Sequence, residues 1–119
     1  MREHIRDLGR LEHILEQINI AQEFVENRSS DDLTNDTLFR YALVKCLEII
    51  GEASYMLTNE FRESHPETPW QQMIKMRHVM VHGYYAIQMP IVWSIVNDDL
   101  PALKPQIERY IAELSAEQK

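Results

Sequence analysis

An arginine, two histidines and a tyrosine stand together in Arg77-His78-Val79-Met80-Val81-His82-Gly83-Tyr84, a run that is otherwise apolar and breaks at a glycine. Arginine, histidine and tyrosine can together bind and cleave a phosphodiester. An imidazole changes charge near neutral pH, so His82 can take a proton from a ribose 2′-hydroxyl or give one to the leaving 5′-oxygen. The planar fork of Arg77 matches phosphate oxygens two at a time and can hold charge that builds up in a pentacoordinate transition state. Tyr84 lies two residues beyond His82, where a ring or hydroxyl would serve at the rim of such a site.

Arg77 follows Met73 by four residues and Ile74 by three, so it shares their face of a helix. An unpaired charge on an apolar stripe costs several kcal/mol or more. Arg77 therefore needs a partner, which is an internal carboxylate, a second subunit or a ligand phosphate. Glu52 is the internal candidate, a supporting residue that would orient Arg77. Arg77 and His82 are five residues apart, about 140° around an ideal helix. They cooperate only if the helix opens at Gly83 or if a two-fold dimer sets this helix end against its copy. The plainer readings are that His82 complements a helix dipole and that His78 is polar surface. Tyr41, Tyr55 and Trp93 fall at helical spacing and are expected in the core.

Composition limits the setting. The chain has 119 residues, 45% of them hydrophobic, which suits a single domain over 1–119 with a real core. The net charge of −7 argues against a broad basic face for nucleic acid, so any RNA contact must be local. One cysteine, Cys46, permits no internal disulfide and is expected in the core. His4, His13 and His65 form no joint ligand pattern, so no metal or other cofactor is expected. No apolar run is long enough for a membrane span and the first residues carry charges of both signs, which leads to the expectation of a cytoplasmic protein.

The elements that must position the motif read as helices throughout: glycine is rare and no alternating strand pattern persists. The expected fold class is all-α, an antiparallel bundle of about five helices. The first runs from about Arg2 to Asn27 and is followed by a polar turn, Arg28 to Asp32. The second, from about Thr34 to Arg62, is apolar on two sides and central, and its Gly51 permits a close helix approach. Thr68-Pro69-Trp70-Gln71 predicts a capped start for the third helix. That helix should end at His82, with Gly83 in the left-handed cap position. A fourth begins near Pro90. Asp99 is expected to cap the last, Leu100 to Leu114, with Pro105 delaying or kinking it.

The string Met76 to Tyr85 resembles the R-x-x-x-x-H-x-Y signature of the HepT-like HEPN toxin ribonucleases, the family also called DUF86. The likeness extends to Leu47-Glu48-Ile49-Ile50-Gly51-Glu52-Ala53, to Pro69-Trp70 and to Ile91 through Pro101, covering about residues 40 to 111. It implies a HEPN fold, a homodimer with the active cleft at its interface, and metal-independent endoribonuclease activity with Arg77 and His82 as the catalytic pair. It also implies a minimal nucleotidyltransferase antitoxin that attaches AMP to Tyr84, and an RNA substrate with transfer RNA favoured. Two positions depart from the pattern. His78 stands where relatives often carry a polar amide, in a supporting place where it adds a second titrating group or does nothing, and Gln88 stands where an acidic residue is common, which alters the cap of the next helix. An alternative remains at this level: a non-catalytic dimeric helical module that binds a nucleotidyltransferase partner or a nucleotide.

Overall fold

Four long helices carry the fold, and each is placed by an apolar stripe at helical spacing. The computed structural model describes residues 2–83 and 86–117, with side chains described from residue 6 onward. The long helices are α1 (Arg2–Val25), α3 (Thr37–Met56), α5 (Trp70–His82) and α7 (Leu100–Glu117). Three short helices connect them: α2 (Ser30–Asn35), α4 (Asn59–Ser64) and α6 (Met89–Ser94). No strand occurs among the described residues. α3 is central and packs on both α1 and α5, while α7 closes against α1. Leu11, Ile14 and Ile18 of α1, Leu43, Leu47 and Ile50 of α3, and Ile107 and Tyr110 of α7 are fully shielded from solvent.

The expected long second helix is interrupted twice by side-chain caps. Arg28 to Asp32 is not a plain turn: α2 starts within it, where Ser29 N–H donates to Asp32 Oδ2 at 2.9 Å. Asp36 then caps α3 by accepting from Phe39 N–H at 3.1 Å. At the other end, Leu57 and Thr58 are extended, so the helix stops at Met56. Thr58 restarts it as α4 by accepting from Phe61 N–H at 3.1 Å. Buried Asp7 holds this break, accepting from Thr58 N–H at 2.9 Å and from the Thr58 hydroxyl at 2.8 Å. A carboxylate with a donor on each oxygen is tolerated at that depth.

The start of α5 is also built differently from the expectation. Thr68 does not cap it. Its hydroxyl is buried against α7, 2.6 Å from both Tyr110 Oη and Gln106 Oε1, and Pro69 occupies the cap position. Trp70 instead anchors the start, donating from Nε1 to the His65 carbonyl at 2.9 Å. His65 stacks on Phe61 with ring centroids 4.0 Å apart and meets Glu113 at 3.1 Å, so it is a structural residue. At the far end of α5, Gly83 has φ −111°, outside the left-handed region expected for it.

α6, with Pro90 in its first turn, runs into α7 through a π turn, Ile95–Asp99, so Asp99 lies inside a continuous helical path and is not a cap. The N–H of Leu100 reaches back five residues to the Ile95 carbonyl. This wider turn sits directly before Pro101, which has no N–H to continue the ordinary ladder. Asn97 Nδ2 satisfies the Trp93 carbonyl at 2.9 Å. Pro105 is accommodated inside α7, which starts at Leu100 without delay. Gln88 makes no side-chain cap at the start of α6.

Candidate functional site

The site forms where α3 and α5 touch most closely. A Cβ built on Gly51 would overlap that of Arg77 and would lie 2.7 Å from the Met73 carbonyl oxygen. Only a residue without a side chain lets the two backbones meet there. Glu52, the next residue on α3, is thereby placed beside Arg77, and Arg77 Nε lies 2.6 Å from Glu52 Oε2. Those two atoms are shut off from water, whereas the side chains as a whole are 35% and 47% exposed. The contact is an ion pair that lies off the hydrogen-bond axis, which is why neither atom counts as hydrogen-bonded. Glu52 thus pins the stem side of the guanidinium and leaves its outer part facing solvent.

The structure supplies Arg77 with the internal carboxylate expected of Glu52. His82 lies in the last turn of α5 and is exposed. No hydrogen bond joins it to Arg77 among the described residues, consistent with their separation around the helix. His78 is exposed, as expected of polar surface, and its ring centroid is 4.8 Å from that of His82, with the planes at 49°. The signal was in the sequence, since residues four apart on a helix are neighbours. Tyr84 lies outside the described residues. Among the described residues no group of three or more His, Cys, Asp or Glu could hold a metal ion.

Two expected core residues are on the surface. Tyr41 is 53% and Tyr55 57% exposed, and Leu38 and Met56 join them on the outer face of α3. Trp93 is half-buried against the core. On α5, Val79 and Val81 are also exposed beside the histidines. An apolar groove of about 360 Å³ opens between α5, the π turn and α7, lined by Met73, Met76, Leu100 and Leu103. Met76 and His78 are two residues apart and point to opposite sides of α5, so the groove is separate from the cation–imidazole site. Cys46 is buried, and burial pushes its thiol up to about 11.

The described residues form an all-helical bundle in which the guanidinium held by Glu52 and the imidazole of His82 lie on one helix. The chain belongs to the family described as Ribonuclease HepT-like, which matches residues 14–110. "Probable ribonuclease HepT" of Thermococcus cleftensis is 37% identical over 83% of this chain and 90% of its own length. A provisionally named RNase of Methanocaldococcus jannaschii, MJ1380, is 39% identical over 80% of this chain and 87% of its own. A third, the provisionally named RNase TTE0752 of Caldanaerobacter subterraneus subsp. tengcongensis, is 36% identical over 85% and 90%. No solved structure matches the chain significantly. The helical architecture agrees with the HEPN fold expected from the motif, and no helix among the described residues is long and apolar enough to cross a membrane.

Proposed function

We propose that this protein is an endoribonuclease toxin that cleaves RNA, transfer RNA foremost, by attack of the ribose 2′-hydroxyl on the adjacent phosphorus. The observation that carries the reading is that Arg77, held through Nε by Glu52 of α3, lies on the same helix as His82. The outer guanidinium donors bind the phosphate oxygens and stabilise the charge of the transition state. His82 moves a proton at the attacking or leaving oxygen. The bond from phosphorus to the 5′-oxygen breaks, leaving a 2′,3′-cyclic phosphate and a 5′-hydroxyl. Arginine and histidine are sufficient for this chemistry, so the activity is metal-independent.

The active form is a homodimer in the cytoplasm, with two copies of α5 side by side. Exposed Val79 and Val81 beside the histidines support that pairing, and the composite cleft would hold an anion between two guanidinium groups. The antitoxin is a minimal nucleotidyltransferase that transfers AMP from ATP to the Tyr84 hydroxyl and releases pyrophosphate. The added phosphate then competes with RNA for Arg77.

Purified protein incubated with total transfer RNA in EDTA should cut it, and His82→Ala should not. Equal cleavage by that variant would overturn the assignment. With the nucleotidyltransferase and ATP, the chain should gain mass in AMP increments, and Tyr84→Phe should gain none. Val81→Glu should convert a dimer to a monomer by light scattering and abolish cleavage together with it.

A further inference from the structure

We infer that His78 is a second catalytic residue, which divides acid and base work with His82. The inference rests on the ribonuclease reading. Breaking an RNA phosphodiester by 2′-hydroxyl attack needs two proton transfers, one from the attacking oxygen and one to the leaving oxygen, and a single imidazole must do both in turn. Here two imidazoles lie one helical turn apart, with centroids 4.8 Å from each other. That is close to the separation, about 4 Å, of the metal ions that clamp the attacking and leaving oxygens in two-metal phosphoryl-transfer sites. Both rings are exposed on the same side of α5, and Arg77 immediately precedes His78.

The surrounding charges leave the pair available. On α5 the neighbouring charged groups are Lys75 and Arg77. On α3, the element packed against it, they are Lys45, Glu48 and Glu52. Lys45 pairs with Glu48 at 3.2 Å and Glu52 pairs with Arg77, so among the described residues no carboxylate is bonded to either ring.

His78, next to the Arg77 that binds the phosphate, accepts the proton from the 2′-hydroxyl as that oxygen bonds to phosphorus. His82, in the last turn of α5, gives a proton to the 5′-oxygen as the bond from phosphorus to that oxygen breaks. Exchange with water returns the pair to its starting state, so no proton is gained or lost overall.

The test compares wild type, His78→Gln and His82→Gln on an RNA oligonucleotide across pH 5 to 9, and on the same oligonucleotide with sulfur in place of the bridging 5′-oxygen. A thiolate leaves without an acid. Wild type should give a bell-shaped kcat/KM profile. His78→Gln should lose about a hundredfold or more, keep only one limb of the profile and gain nothing from the sulfur substrate. His82→Gln should recover most of its loss on that substrate. The residue is exposed, and a circular dichroism spectrum identical to wild type confirms that the variant folds. If His78→Gln cleaves at the wild-type rate with a bell-shaped profile, this inference fails while the ribonuclease reading stands. If wild type and both variants leave RNA intact, the ribonuclease reading fails and takes this inference with it.

Discussion

Gly51 of α3 and Arg77 of α5 meet with no room for a methyl group between them, and this contact sets Glu52 against the guanidinium. The close approach is therefore a positioning device as well as a packing detail. It fixes the depth at which the base of the Arg77 side chain enters the helix interface, and so how far its donors project.

Gly51→Ala should separate these effects. Overpacking a tight contact costs about 1–3 kcal/mol, and the better helix propensity of alanine returns about 1 kcal/mol. The clash is with the Arg77 Cβ and a backbone oxygen, so the net loss of stability should be about 2 kcal/mol or more, while RNA cleavage should fall at least as far, because misplacing a positioning group by about 1 Å can cost a hundredfold. A melting curve beside a cleavage assay checks this, and unchanged cleavage would show that Arg77 does not depend on the contact.

Glu52→Gln should lower kcat by about tenfold or more with little change in melting temperature. Partly exposed ion pairs are worth about 0–1 kcal/mol to the fold, whereas the orientation of Arg77 bears directly on transition-state charge. Glu52→Ala should be worse than Glu52→Gln, since glutamine keeps an acceptor for Nε. Equal kcat in all three proteins would reduce the pair to surface decoration.

Acid should loosen the corner between α2 and α3. Phe39 N–H, followed by Arg28, holds the Asp36 carboxyl below its ordinary 3.8. A carboxyl depressed in the folded state contributes stability above its unfolded value, and that contribution is lost as pH falls through the folded value. Wild type should therefore lose more melting temperature between pH 5 and pH 3 than Asp36→Asn, which keeps the capping oxygen but does not titrate. Parallel pH profiles for the two would refute the linkage.

Cys46 should resist alkylation in the folded protein. Burial that pushes its thiol up to about 11 leaves almost no thiolate at pH 8. Iodoacetamide labelling at pH 8 should be slow natively and fast in guanidinium, with the native rate reporting the opening of α3. Rapid native labelling would mean that the Cys46 side chain reaches water far more often than its packing suggests.

Much of this site was legible in the sequence because its determinants are local or nearly so. Arg77 on the Met73 stripe demanded a counter-charge, and Glu52 was the carboxylate on an apolar helix face able to supply it. Gly51 suggested a close approach because glycine in mid-helix otherwise costs stability. The pairing of His78 with His82 was also available from spacing alone, but reading each histidine by its own type concealed it. The errors had long-range causes. Nothing near Thr58 in sequence announces that Asp7, 51 residues earlier, will bond it and split the helix. Thr68 has every local feature of a cap, yet Tyr110 and Gln106 of α7 engage its hydroxyl. Tyr41 and Tyr55 have core-like spacing, but the inner faces of α3 are already taken by α1 and α5.

The sequence by itself determined an all-helical chain, the end of α5 at His82 and the residue types that can act on a phosphodiester, because helix periodicity and side-chain chemistry are local properties. Only the tertiary structure decided that Arg77 is held through one buried nitrogen and that Tyr41 and Tyr55 lie on the outer face of α3, away from α1 and α5. Those outcomes depend on which backbones approach closely enough to exclude water, a matter settled at Gly51 where two distant segments meet.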